Sequence, residues 1–341
     1  MITYRSTEGG RIIATKAPGK NCWIDIRNPD RDELDMLERD YKVNPEHLVD
    51  ILDVDEQSRS EKEDNYTLII CRLPVFNAGQ EVPYFTVPCG ILFYPDRIVT
   101  ICGTENEVLD EMAGGRVKNL DTINRSAFVL HLFGRAAIVY LRYLKDINRR
   151  TTAIERELEG SIKNHELSQL LYMSKSLVYF TTSIKSNEIL IEKFPTSRFL
   201  KLGEEEAELL EDVMTDNKQA IEMSGIYSDI LSGMMDAFAS VISNNLNIVM
   251  KRLNVITIVL MIPTFVVSIF GMNVPLPLVD NLNALPIILG IGGGTSLLGA
   301  FLLRDKPKRR NRPQWRRIKA PKKQAGVATL AVHGTVMARK P

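Results

Sequence analysis

The chain has 341 residues, enough for two domains of ordinary size, with 45% hydrophobic residues, 25% charged residues and a formal net charge of +1. This composition excludes a disordered or a fibrous chain. The near-neutral total conceals a partition: charge runs through residues 1–252, is absent from Leu253–Val279 and Ala284–Leu303, and returns in 304–319 as nine Lys/Arg against one acid, Asp305.

Taken from the N-terminus, Met1–Glu8 lacks an apolar run, so no secretory leader is expected and the first domain is expected to remain in the cytosol. Short β-rich runs at Cys22–Ile26, Tyr66–Phe76, Tyr84–Phe93 and Arg97–Cys102 are bounded by Pro, Gly, Asn or Asp and predict strands. Asn28-Pro-Asp opens a helix to about Tyr41, and Asn44-Pro-Glu opens another. Alternating strands and helices over residues 1–120 predict a layered α/β domain. Gly9-Gly10 and Gly114-Gly115 are turn signals. The four cysteines, Cys22, Cys71, Cys89 and Cys102, have no CxxC spacing and lie in or beside apolar segments, as buried free thiols do. The four histidines are scattered, and no Walker loop, dinucleotide fingerprint, GxSxG elbow or HExxH pair offers catalysis. No enzyme activity is expected.

Residues 121–252 change character. Thr122–Gly160 and Glu166–Phe194 carry apolar residues at helical spacing, the second ended by Pro195. A third helix begins near Gly203-Glu-Glu-Glu, with acids in its first turn as the helix dipole favours, and nothing interrupts it before Phe270 except Gly225 and Gly233. A helix that long needs partners, and an oligomer supplies them.

The two uncharged stretches, 253–270 and 284–303, each extend about 27–30 Å as helices, close to the hydrocarbon thickness of a bilayer. Lys251 and Arg252 precede the first and the basic run 304–341 follows the second, whereas the connection 271–283 holds no Lys or Arg. The positive-inside rule then predicts a hairpin with both termini cytoplasmic and the short loop outside. Pro263 is tolerated inside the first span, because a neighbouring helix can satisfy the freed carbonyl. Pro286 falls in the first turn of the second, and Gly290 and Gly294 form a GxxxG spacing that predicts close helix packing.

Along the long helix, Asp236, Ser240, Ser243, Asn247, Met250, Asn254, Thr257, Met261, Thr264 and Ser268 recur at alternating steps of four and three. That 3.5-residue period keeps one face aligned through a left-handed supercoil. Hydroxyls, amides and thioethers on one face suit a water-filled pore, because they hydrogen-bond a hydrated ion without trapping it. The other reading is that they bond between packed helices.

At the outer end of this face stands Phe270-Gly271-Met272-Asn273. With Asn247-Ile-Val-Met250-Lys-Arg-Leu253, Met261-Ile-Pro263-Thr264 and the acid-rich Ile51–Tyr66 upstream, the chain resembles the CorA family of magnesium and divalent-cation transporters up to about Arg310. The resemblance implies a homopentameric funnel: an α/β cytoplasmic domain, a long-helix stalk and a two-helix transmembrane hairpin in the plasma (inner) membrane. It implies Mg²⁺ as transported and regulatory ion, and no organic cofactor. Gly271, Met272 and Asn273 would form the selectivity filter, with Asn273 meeting the ion. Asn247, Met250, Leu253, Asn254, Thr257, Met261, Thr264 and Ser268 would line the pore, Met250 and Leu253 as its hydrophobic constriction. Asp212 matches a regulatory metal position on the stalk. Its partner is expected among Asp50, Asp53, Asp55 and Glu56, with Asp53 standing for the group. Three features depart from the family: Phe270 replaces the commoner tyrosine, the loop 274–283 lacks the Met-Pro-Glu-Leu run and keeps only Asp280 as an acid, and the tail is long. Its basic run is expected against anionic lipid headgroups or as a collar at the inner mouth, without a nucleic-acid partner, and from Ala320 onward the tail is expected to be disordered. Zinc, cobalt or nickel transport, as in the related ZntB group, is the alternative ion reading. A membrane-anchored coiled-coil scaffold is the alternative outside transport.

Overall fold

The computed structural model describes residues 1–160, 164–197, 199–272 and 284–303. Asn273, Asp280 and the basic tail lie outside the described residues. The chain forms two compact units, Met1–Leu246 and Asn247 onward.

The first unit is built on a seven-stranded sheet in the order β2-β1-β3-β7-β6-β5-β4. The strands are β1 Ile2–Glu8, β2 Arg11–Thr15, β3 Cys22–Arg27, β4 Arg59–Lys62, β5 Thr67–Phe76, β6 Tyr84–Phe93 and β7 Arg97–Cys102. β3 pairs in parallel with β7, and the other ladders are antiparallel. The four expected strands are present to within a residue, and β1, β2 and β4 are additional. Gly9 and Gly10, with φ of +58° and +76°, make the β1–β2 hairpin, a backbone that most side chains resist.

Alternate residues of the strands face opposite sides. Cys22, Ile24, Ile26, Leu68, Ile70 and Leu92 pack under α1 (Arg31–Tyr41) and α2 (Pro45–Leu52). Trp23, Ile69, Cys71, Cys89, Ile91 and Cys102 pack against the opposite helical layer, α3 (Glu107–Ala113) and α4 (Arg125–Gly160). Asp30 caps α1 in a reciprocal capping box with Glu33, and Asn44 caps α2 with Pro45 at the first helical position. Gly90 on β6 lets α2 approach, since a Cβ there would overlap Ile51. All four cysteines are free and buried, as their apolar setting predicts.

α4, α5 (Asn164–Ile191) and the early part of α6 (Glu204–Phe270) share a further core around Tyr140, Leu144, Phe180, Ile184, Ala220 and Leu231. α5 stops at Ile191, three residues before the expected end, and Pro195 sits in a short 3₁₀ turn, Phe194–Thr196. In the second unit, the remainder of α6 is joined by α7 (Ala284–Leu303). Among the described residues, two helices are long and apolar enough to cross a bilayer, α4 and α6. The apolar window of α4 is 61% buried in the protein core, whereas that of α6 is not buried at all.

Candidate ion pathway and acid groups

α7 covers one side of α6. Ser296 Oγ donates to the Val259 carbonyl at 2.9 Å, and a Cβ on Gly292 or Gly299 would lie 3.5 Å from Pro263 or 3.0 Å from Ile262. Val259 is the residue four before Pro263, so its carbonyl is the one that loses its helical donor to proline. Ser296 supplies the missing proton, which is the satisfaction expected of a neighbouring helix. The glycines in contact with α6 are Gly292 and Gly299. Within the single chain, a Cβ on Gly290 or Gly294 would meet nothing within 4 Å. The signal missed in the sequence was Ser296 itself, which with Thr295 is one of two hydroxyls in an otherwise apolar helix.

The uncovered side of α6 carries the polar row. At about 100° per residue, Asn254, Thr257, Met261, Thr264 and Ser268 centre on a direction opposed to Val255, Val259, Ile262 and Val266. Asn247, Met250, Leu253, Asn254, Thr257, Met261, Thr264 and Ser268 are all exposed in the single chain. Thr257, Leu260, Met261, Thr264, Phe265 and Ser268 line a shallow depression of about 530 Å³. Thr257 Oγ1 donates to the Leu253 carbonyl and Thr264 Oγ1 to the Leu260 carbonyl, each at 2.9 Å. Their protons are engaged by the backbone, and the hydroxyl oxygens remain as acceptors. Past Phe270 the chain makes one closing turn, with Gly271 N–H donating to Val267 and Met272 N–H to Ile269. Met272 is 60% exposed.

The acid groups belong to the first unit. Arg59 holds Asp50 at 2.6 Å and Glu56 at 2.8 Å. Arg72 pins the loop between them by donating to the carbonyls of Val54 at 2.8 Å and Glu56 at 2.5 Å. Asp53, at the C-terminal cap of α2, accepts the Asp55 N–H at 3.0 Å. Asp53 and Asp55 are exposed and form no ion pair among the described residues, so they are the acids of this group still available to a cation. Asp212 is also exposed and, among the described residues, without an ion pair. It lies one turn from Asp216, whose carboxyl is pushed above its ordinary pKa by burial and by the charge of Asp212. No group of described acids brings Asp53 and Asp212 within metal-sharing distance of each other in one chain.

A mixed α/β unit is joined by one long helix to an apolar two-helix segment, and comparison with known proteins gives the family. The model of the CorA-like Mg²⁺ transporter protein family matches residues 18–309, and the chain belongs to that family. It is 25% identical over 279 residues to the cobalt/magnesium transport protein CorA of Methanocaldococcus jannaschii, covering 79% of this chain and 85% of that one. The complete structure of the CorA magnesium transporter from that organism superposes with a TM-score of 0.73 at 21% identity, over 89% of this chain and 96% of the other. The cytoplasmic domain of ZntB from Vibrio parahaemolyticus shares the fold at a TM-score of 0.55 and 12% identity, over 72% and 97% of the two chains. The protein is therefore a divalent-cation transporter with an α/β domain and a long helix, and not an enzyme.

Proposed function

We propose that this protein admits Mg²⁺ to the cytosol through a pore lined by α6 from five copies of the chain, with α7 on the outside. Both termini lie in the cytoplasm, and Gly271, Met272 and Asn273 stand at the outer mouth as the filter. The observation that carries the reading is that α7 packs on the side of α6 opposite the row of amides, hydroxyls and thioethers, which leaves that row, flanked by Leu260 and Phe265, for other copies. Mg²⁺ gives up water reluctantly, so oxygen acceptors that address its hydration shell suit it better than a tight cage. Met250 and Leu253, exposed on the same helix, make a ring able to close by dewetting. A divalent ion gains about 4.6 kcal/mol for each 100 mV of inside-negative potential, and no nucleotide site is needed. Asp212 and Asp53 are the regulatory pair in this reading, meeting across neighbouring copies. Both are exposed and form no ion pair among the described residues, so a bound ion would relieve repulsion.

The test is flux into proteoliposomes of Mg²⁺, Co²⁺ and Zn²⁺ under an imposed potential, for the unaltered chain and for Asn273→Ala. Mg²⁺ entry that depends on the potential and is lost in the variant is expected. Unchanged entry in the variant overturns the filter, and faster Zn²⁺ or Co²⁺ entry than Mg²⁺ entry overturns the ion.

A further inference from the structure

The sheet domain holds a second grouping of ligand atoms that the ion pathway does not use. His47 lies in the first turn of α2. Glu61 ends on β4, and Glu63 follows two residues later, on the same side of the extended chain. Glu63 N–H donates to the Tyr66 carbonyl at 2.9 Å, a turn that brings the Tyr66 ring beside the histidine. His47 Nε2 is 3.6 Å from Glu61 Oε2 and 3.6 Å from Glu63 Oε1, and the three ligand atoms lie within 4.8 Å of one another.

We propose that His47, Glu61 and Glu63 bind a first-row transition-metal ion of the Zn²⁺ or Co²⁺ kind. The distances favour an ion over direct hydrogen bonds. A nitrogen-to-oxygen hydrogen bond spans about 2.7–3.2 Å. Two bonds of about 2.0–2.2 Å to one metal, opened to a tetrahedral or trigonal angle, set their donors about 3.3–3.7 Å apart. The imidazole is held as a metal ligand needs. Tyr66 Oη is 2.9 Å from Nδ1 and accepts the Asn44 N–H at 3.0 Å. In the tautomer that carries its proton on Nδ1, Tyr66 Oη accepts that proton as well, and the Nε2 lone pair faces the two carboxylates. In that arrangement a metal ion seated between Nε2 and the two carboxylates meets all three ligand atoms. The side chain of His47 is 4% exposed, whereas Glu61 is 47% and Glu63 35% exposed, so the ligands are fixed at the back and open in front, where water completes the coordination. Arg59 also donates to Glu61 Oε2, so this carboxylate is shared between guanidinium and metal. Imidazole with two carboxylates suits Zn²⁺ or Co²⁺, while Mg²⁺ asks for an octahedron of oxygens.

The site is read out on the full chain in detergent micelles, independently of transport. Co²⁺ is added over excess Mg²⁺, which saturates oxygen-only sites, and its visible ligand-field absorption is titrated and then displaced by Zn²⁺. One intense band per chain, unaffected by Mg²⁺, is expected. His47→Gln should abolish it, and Glu63→Gln and Tyr66→Phe should weaken Co²⁺ binding by roughly 10-fold or more. Should His47→Gln fail to fold, the exposed Glu63→Gln decides alone. Absence of the band, displacement by Mg²⁺, or equal Co²⁺ affinity in Glu63→Gln overturns the site.

Discussion

The bond from Ser296 to the Val259 carbonyl can be tested by removing its two causes in turn. Ser296→Ala deletes the hydroxyl and leaves a carbonyl, already deprived of its helical donor by Pro263, with no proton to accept. An orphaned buried acceptor costs about 1–3 kcal/mol in water-soluble cores, and interhelical bonds inside membranes measure about 0.6–1.7 kcal/mol, so a loss of about 1–2 kcal/mol is expected. Pro263→Ala restores the N–H that Val259 lacks, at the expense of ring packing against Gly292. In that background the hydroxyl has little left to do, and Ser296→Ala should be nearly silent. The coupling between the two changes is about 1 kcal/mol, a factor of about five in the folding equilibrium. Loss of helical signal along a titration from mild detergent into dodecyl sulfate, run on all four proteins, measures it. Equal costs of Ser296→Ala with proline and with alanine at 263 would refute the reasoning.

Two further outcomes concern the first unit. Burial alone would raise the pKa of Glu111, yet hydrogen bonds and charge from Arg135 and Arg142 hold it at about 2, against an ordinary 4.5. Its stabilisation, about 3 kcal/mol, is complete above about pH 4.5 and is lost as the pH falls towards 2. Urea unfolding at stepped pH should show this acid-sensitive arm in the unaltered chain and not in Glu111→Gln; equal acid sensitivity of both would rule it out. Gly90→Ala puts a methyl group into Ile51, which is fully buried, and should lower stability by about 1–3 kcal/mol in the same unfolding assay. A neutral result would mean that α2 is free to lift from the sheet.

The central strands were legible because Thr67–Phe76 and Tyr84–Phe93 are long, apolar and bounded by turn residues. β1 and β2 escaped notice. As a half-exposed hairpin at the sheet edge, with Arg5, Ser6 and Thr7 among its residues, β1 has too weak an apolar alternation to register, although Gly9-Gly10 marked the turn. β4 reads Arg-Ser-Glu-Lys and owes its conformation to its ladder with β5, a tertiary cause that no local pattern expresses. The polar row of α6 was visible as a period, since spacing along one helix is a property of sequence. What the spacing could not tell was which side α7 takes, because that choice rests on Gly292, Ser296 and Gly299 meeting α6. The grouping of His47 with Glu61 and Glu63 was hidden for the same reason: α2 and β4 meet only after the sheet has formed.

Thr257 and Thr264 spend their protons on the backbone, and in the proposed pore this would set a preference for the sign of a passing ion. Water bound to a cation turns its hydrogens outward, and water bound to an anion turns its oxygens outward. A surface whose hydroxyls can only receive hydrogens welcomes the first kind of shell and disappoints the second. In the proposed pore, discrimination against chloride or phosphate would thus need no fixed negative charge, and a strongly bound divalent ion would be spared the carboxylates that would hold it in place.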